Sequence, residues 1–396
     1  MAAEPPSSRP QATRARRRLT ASRLILRLAV MVVVLLAADA AVNHYLRPGR
    51  DYLDDWRFPR ERSMSALGGY AAAISAQPAD ATRPTVLVLG ASPTWGEANS
   101  DRHHTYPAAL RNVAAAKGVQ ARVFNLGANG ELVADQYFLA GRLARPGDVV
   151  LVQLTYHTFH KAGRAHGAQQ YPEVPRLLGD PVTRQVAGIL GINATPSPNV
   201  IGDVNWFLTR HWALFRQHDA LTTRLFGSTA KDELWARWRR LTHATAKGGP
   251  AVEPPPRNVP FDALDPSQQT VFVESYAAVS RFRLKRSDSE LRMLDLLCAN
   301  LQRRHVHAAL FISPVDVQAL EGFDMFDRKQ YAANVALIRQ VVQSRGLTFI
   351  DWNQPKLALP SGAFADMTHT TDQGSALFAA RLFARIRSLF DRGGGR

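Results

Sequence analysis

The segment Thr85-Val-Leu-Val-Leu-Gly-Ala-Ser-Pro-Thr-Trp-Gly-Glu97 decides the fold, because an apolar run stops abruptly there at a glycine, a small residue and a serine. Residues 86–89 carry no polar interruption, the pattern of a strand buried on both faces of a parallel sheet. Ser92 then falls just beyond the strand's carboxyl end, where ligands bind in open α/β sheets. A plainer reading makes the same serine a cap of the next helix.

What raises Ser92 above a cap lies far downstream, at Asp366-Met-Thr-His369. A serine hydroxyl is a weak nucleophile until a base takes its proton, and a histidine does so best when a carboxylate orients its ring. Asp-x-x-His supplies both groups from one turn. Beyond it, Ala376, Leu377, Ala380, Leu382, Phe383, Ile386 and Phe390 recur at helical spacing, so a carboxy-terminal helix packs the pair against the body.

Gly90-Ala-Ser92 and Asp366-x-x-His369 together resemble the first and last blocks of the SGNH (GDSL-like) hydrolase and acyltransferase superfamily. Phe124-Asn-Leu-Gly-Ala-Asn-Gly130 resembles the second block, and Val149-Val-Leu-Val-Gln-Leu-Thr-Tyr-His157 the strand leading to the third. The resemblance implies a three-layer α/β/α sandwich with a mostly parallel, flavodoxin-like sheet. It also implies a Ser92–His369–Asp366 triad and an oxyanion hole made by the amides of Ser92 and Gly130. The sequence departs from the family pattern twice: Thr155-Tyr156-His157-Thr158 replaces Gly-x-Asn-Asp, and Ala91 stands where hydrolases carry Asp. His157 is thereby a candidate third oxyanion donor, with Tyr156 beside it.

Within the superfamily, the block order, an apolar amino-terminal run, the altered third block and an inserted segment look most like the anchored partner proteins of membrane-bound O-acyltransferases. These are the proteins of D-alanyl transfer and polysaccharide O-acetylation. That likeness implies an acyl-serine intermediate, a membrane-bound O-acyltransferase as partner and an envelope polymer or glycan hydroxyl as acceptor, with no cofactor. A secreted or anchored esterase or lipase, and a non-catalytic envelope scaffold, are the alternatives.

Residues 24–42 are almost wholly apolar, interrupted by Arg27 and Asp39, and about 20 such residues cross a bilayer. Basic residues before the run and a large domain after it predict a cytoplasmic amino terminus and an extracytoplasmic domain. Ala38-Asp-Ala40 fits a signal-peptide cleavage site, but the run exceeds the ~7–15 apolar residues of a signal peptide, so a retained anchor is expected. Residues 1–50 hold nine arginines against Glu4 and Asp39, seven of the chain's sixteen net positive charges. No basic helix or finger accompanies the rest, which argues against nucleic acid and for an anionic lipid or envelope surface. The single cysteine, Cys298, lies in the stripe Leu291, Leu294, Leu297, Cys298, Leu301, a core position. Two histidines in Asp101-Arg-His-His-Thr-Tyr-Pro107 lack a third ligand, so no metal is expected.

The chain therefore divides into a basic tail (1–23), a transmembrane anchor (24–42), a connector (43–84) with a helical patch over 64–74, and an α/β domain (85–392). Helices are predicted over 107–116, 133–144, 290–304 and 331–345, and strands over 121–125, 149–154, 308–312 and 347–351, an alternation that argues for a parallel sheet. Residues 161–288 break the rhythm with Trp206, Trp212, Trp235, Trp238 and a Pro-rich loop over 252–260, and read as an insertion over the crevice.

Overall fold

The computed structural model describes residues 11–45, 83–160, 170–179, 182–192, 211–216 and 258–391, with Tyr70, Ala71, Ile74, Ser75, Val204, Phe207 and Leu208 between them. Trp206, Trp235, Trp238 and most of the Pro-rich loop lie outside the described residues. Five strands form one parallel sheet in the order β2-β1-β3-β4-β5. They are β1 (Thr85–Leu89), β2 (Arg122–Asn125), β3 (Val149–Leu154), β4 (His307–Ile312) and β5 (Thr348–Asp351). The order turns back on itself between β1 and β3, and the crevice at such a switch point is where doubly wound sheets bind ligands.

Alternate residues of each strand face opposite layers, and both layers are packed. Leu87, Leu89, Val150 and Val152 meet the helices Val133–Leu143, Ser289–Arg303 and Arg328–Ser344 on one side. Val86, Val88, Leu151 and Phe311 meet Tyr106–Ala116 and Asp372–Asp391 on the other. The result is a three-layer α/β/α sandwich. The five strands and the helices Tyr106–Ala116, Val133–Leu143, Ser289–Arg303 and Arg328–Ser344 start and end within three residues of the expected bounds, because long apolar runs and helical stripes specify them. Cys298 is buried in the first layer, as its stripe requires.

Two expectations change. The described parts of the insertion do not simply cover the crevice: Val174, Leu178, Val186 and Ile189, from the short helices Val174–Leu178 and Arg184–Leu190, join the main core. Phe261, Leu264 and Tyr276 pack with Val315, Leu320 and Met367 in a third cluster beside the Asp366–His369 turn. The connector likewise contributes Tyr70, Ala71 and Ile74 to the core, with the Tyr70 ring edge-on to Phe124 at 6.4 Å. Both segments carry enough apolar side chains to be drawn inward, since each buried one gains roughly 1.5–3 kcal/mol.

The amino-terminal helix runs Gln11–Tyr45, so residues 11–23 of the basic tail are helical. Its 20-residue stretch Ile25–His44 is long and apolar enough to cross a membrane, and none of it is buried by the protein. The Asp39 carboxylate accepts a hydrogen bond from the Leu214 amide at 2.7 Å, and Arg216 donates to Asn43 Oδ1 at 3.3 Å. A piece of the insertion thus rests on the far end of the apolar stretch and satisfies the acid that interrupts it.

Candidate active site

Ser92 is the first residue of the one-turn helix Ser92–Trp95, directly after β1. The cap position belongs to Ala91, whose side chain makes no capping bond, so Ser92 is not a helix cap. The turn before it is steeply constrained. A Cβ at Gly90 would collide with Thr94 Oγ1 and the Gln153 side chain, and one at Gly127 would come within 2.7 Å of Trp95 N. Only glycine permits such close approach.

The loop after β5 brings up Asp366 and His369. Asp366 Oδ1 accepts the amides of Thr368 and His369, both at 2.7 Å, which folds Asp-x-x-His into a tight turn. Ala365 N donates to His369 O at 2.8 Å, and Asp316 N to Met367 O at 2.9 Å, pinning the turn from both sides. Asp366 Oδ2 is then 2.6 Å from His369 Nδ1, and His369 Nε2 is 2.8 Å from Ser92 Oγ. A carboxylate only accepts, so Nδ1 carries the imidazole proton and Nε2 is left to accept from the serine hydroxyl. The His369 and Asp366 side chains are only 16% and 15% exposed. Burial alone would lower the His369 pKa, but the Asp366 charge and hydrogen bond outweigh it and hold the ring above its usual value. Burial likewise pushes Asp366 up, and the His369 charge with three hydrogen bonds brings it below the usual carboxylate range.

Gly130 sits after β2 with φ of 72°, a left-handed conformation that favours glycine. Neither the Ser92 amide nor the Gly130 amide donates to any acceptor among the described residues. His157 lies in the short 3-10 helix Tyr156–Phe159 after β3, the other strand of the switch point. It is within electrostatic reach of both His369 and Asp366. Desolvation, aided by the His369 charge, depresses its pKa to about 4, so the ring is neutral at pH 7. Its Nδ1 is buried without a partner, and the ring packs edge-on against Tyr276 at 5.7 Å. Tyr156 is not a donor to this site: its hydroxyl accepts from Asn334 Nδ2 at 2.8 Å, and its ring packs against Phe282 and Tyr331.

Sequence reasoning missed the residues beneath the serine. Gln153 Oε1 accepts the Ala91 amide at 2.9 Å and the Thr94 hydroxyl at 3.0 Å, and Glu131 Oε1 accepts the Gly90 amide at 3.0 Å. The visible signal was a glutamine inside the otherwise apolar run of β3, where a buried polar group requires partners. His103 and His104 form no metal cluster; among the described residues no group of three or more metal-ligating side chains occurs. His104 Nδ1 instead pairs with Asp101 at 2.9 Å on the surface.

The fold and site define a class: an α/β/α sandwich that presents a hydrogen-bonded serine, histidine and aspartate at the switch point of its parallel sheet. No family model matches the chain, and no curated protein does. Among solved structures, it is similar to LAE5, an alpha/beta hydrolase enzyme from the metagenome of Lake Arreo, Spain, at 13% identity and TM-score 0.36, over 77% of this chain and 96% of that one. It is also similar to a carbohydrate acetylesterase family member from Sinorhizobium meliloti, at 13% identity and TM-score 0.33, over 78% of this chain and 99% of the other.

Proposed function

We propose that the protein is a membrane-anchored SGNH-type acyl-transfer enzyme that passes an acyl group through a Ser92 ester to a hydroxyl of an envelope polymer or glycan. The observation that carries this reading is the unbroken line Asp366 Oδ2–His369–Ser92 Oγ, at 2.6 and 2.8 Å. His369 Nε2 takes the Ser92 proton as Oγ bonds to the acyl carbon. The carbonyl oxygen becomes an oxyanion, which the amides of Ser92 and Gly130 stabilise. As the tetrahedral intermediate collapses, the donor's leaving group departs with the proton from Nε2. The acceptor hydroxyl then gives its proton to Nε2, attacks the Ser92 ester and releases the serine.

Asp366 keeps the ring in the tautomer that both half-reactions need. The apolar stretch Ile25–His44 supports a tether at a membrane surface, with a membrane-bound O-acyltransferase as acyl donor. A third neutral donor at His157, in place of an amide side chain, fits a site tuned for a positioned acceptor rather than for water. The same triad serves hydrolysis, so an anchored esterase is the second reading. Partition of a radiolabelled acyl group between water and an added polyol or polysaccharide separates them. Transfer exceeding hydrolysis supports the transferase; release to water alone supports the esterase.

A further inference from the structure

Gly130 sits in a β-turn that is stitched on both sides to the turn carrying the nucleophile. Gly90, two residues before Ser92, accepts the Ala128 amide at 3.0 Å and donates its own amide to Glu131 Oε1 at 3.0 Å. Between those anchors the Glu131 amide donates to the Ala128 carbonyl at 3.1 Å, and of the four residues only Gly130 has a positive φ. That combination is a type II turn with Asn129 and Gly130 at its centre. A type I turn keeps the same closing hydrogen bond with the central peptide turned over, so the closing bond does not decide which way the Gly130 N–H points. In a trans peptide the Asn129 carbonyl and the Gly130 N–H point in opposite directions, and whatever holds the one aims the other.

The Asn129 carbonyl is held by Tyr171, from the inserted segment, whose hydroxyl donates to it at 2.6 Å. The backbone of this tyrosine is itself fixed: the buried Asp135 carboxylate accepts the Gln170 and Tyr171 amides, each at 3.1 Å, and the Leu132 amide at 3.0 Å. The Gln170 side chain lies over Gly130, where an added Cβ would meet its amide carbon and nitrogen at 3.3 Å. We propose that Tyr171 is a positioning residue for acyl transfer, which by holding Asn129 O keeps the central peptide in the type II orientation and the Gly130 N–H aimed away from itself, open to the developing oxyanion. A hydrogen bond to the carbonyl also polarises the peptide and strengthens its N–H as a donor. Burial, followed by the Glu131 charge, raises the Tyr171 pKa, so the hydroxyl remains a donor at neutral pH. The proposal rests on Gly130 serving as an oxyanion donor to the Ser92 adduct.

The test compares the full-length wild type with Tyr171→Phe in detergent, on a short aryl ester and on an arylboronic acid, which forms a tetrahedral adduct with a reactive serine. Loss of the hydroxyl frees the central peptide to turn over, so kcat should fall by about tenfold or more while KM stays within about twofold. Boronate affinity should fall by about the same factor as kcat/KM, because the tetrahedral adduct, unlike the bound ester, needs the oxyanion donors. Tyr171→fluorotyrosine keeps the donor and should stay within about twofold of wild type near neutral pH. The melting temperature of Tyr171→Phe should drop by no more than about 4 °C, as the loss of one partly exposed hydrogen bond implies. Unchanged kcat and boronate affinity in Tyr171→Phe, or a raised KM with kcat intact, overturns the positioning role. A much larger melting drop, or equal losses in the two variants, makes Tyr171 a structural strut and overturns it as well. Wild type with neither ester turnover nor boronate binding overturns the Ser92 reading itself, and the proposal with it.

Discussion

The imidazole of His157 stands edge-on to the Tyr276 ring, with centroids 5.7 Å apart and planes at 76°. This contact holds a neutral histidine beside the triad without a hydrogen bond to its buried Nδ1. A well-placed neutral donor is worth roughly 3–4 kcal/mol to an oxyanion, and an asparagine offers one without a tautomer requirement. His157→Asn is therefore expected to raise hydrolysis of a short aryl ester by about tenfold or more and to lower transfer to a polyol. Unchanged hydrolysis in the variant, at wild-type rates typical of an efficient esterase, would sink the transferase reading in favour of a hydrolase.

The proposed mechanism requires His369 neutral, and Asp366 holds its pKa above the usual histidine value despite burial. Activity should therefore rise with pH along an acid limb whose apparent pKa exceeds 6.5. In Asp366→Asn the raising charge is gone and burial remains, so the limb should move to lower pH while turnover falls by on the order of a thousandfold or more. An acid limb in the same place in both proteins would show that another group is being titrated.

Ser92 and His369 act as one unit in this account. Replacing either by Ala should abolish nearly all activity, and the double variant should be no worse than the more damaged single one. Losses that multiply, measured as kcat/KM on one ester, would separate the two residues.

The stretch Ile25–His44 is expected to persist in the mature protein and to fix it to membranes. Mass spectrometry of the amino terminus and carbonate extraction of membranes check this together. A soluble protein beginning near Ala41 is the opposing result.

Cys298 is buried in the core, where desolvation pushes its thiol up to about 12. The native protein should not react with a thiol reagent at pH 8 and should react once denatured. Rapid native reaction would mean that the helix Ser289–Arg303 packs differently.

Much of the architecture was readable because it rests on periodic signals. The apolar runs of β1 and β3 and the stripe of the last helix leave few alternatives, and Asp366-x-x-His369 is a local motif. What escaped depends on side chains reaching backbone far away in sequence. Gln153 meets Ala91 across 62 residues, and Glu131 meets Gly90 across 41; no spacing rule encodes such contacts. The direction of Tyr156 was hidden for a related reason, since its ring is set by Phe282, Tyr331 and Asn334. The short helices at 174–178 and 184–190 lack the length that makes a helical stripe distinctive, so their place in the core was hidden.

The central claim is that Ser92 Oγ becomes covalently acylated with His369 as its base. Peptide mass spectrometry of wild type and His369→Ala, quenched during turnover of a short aryl ester, tests it directly. An acyl adduct is expected on the Ser92 peptide of the wild type, with a reduction of at least about a hundredfold in its rate of formation in the variant. Turnover with Ser92 unmodified, or an adduct formed equally fast without His369, would contradict it.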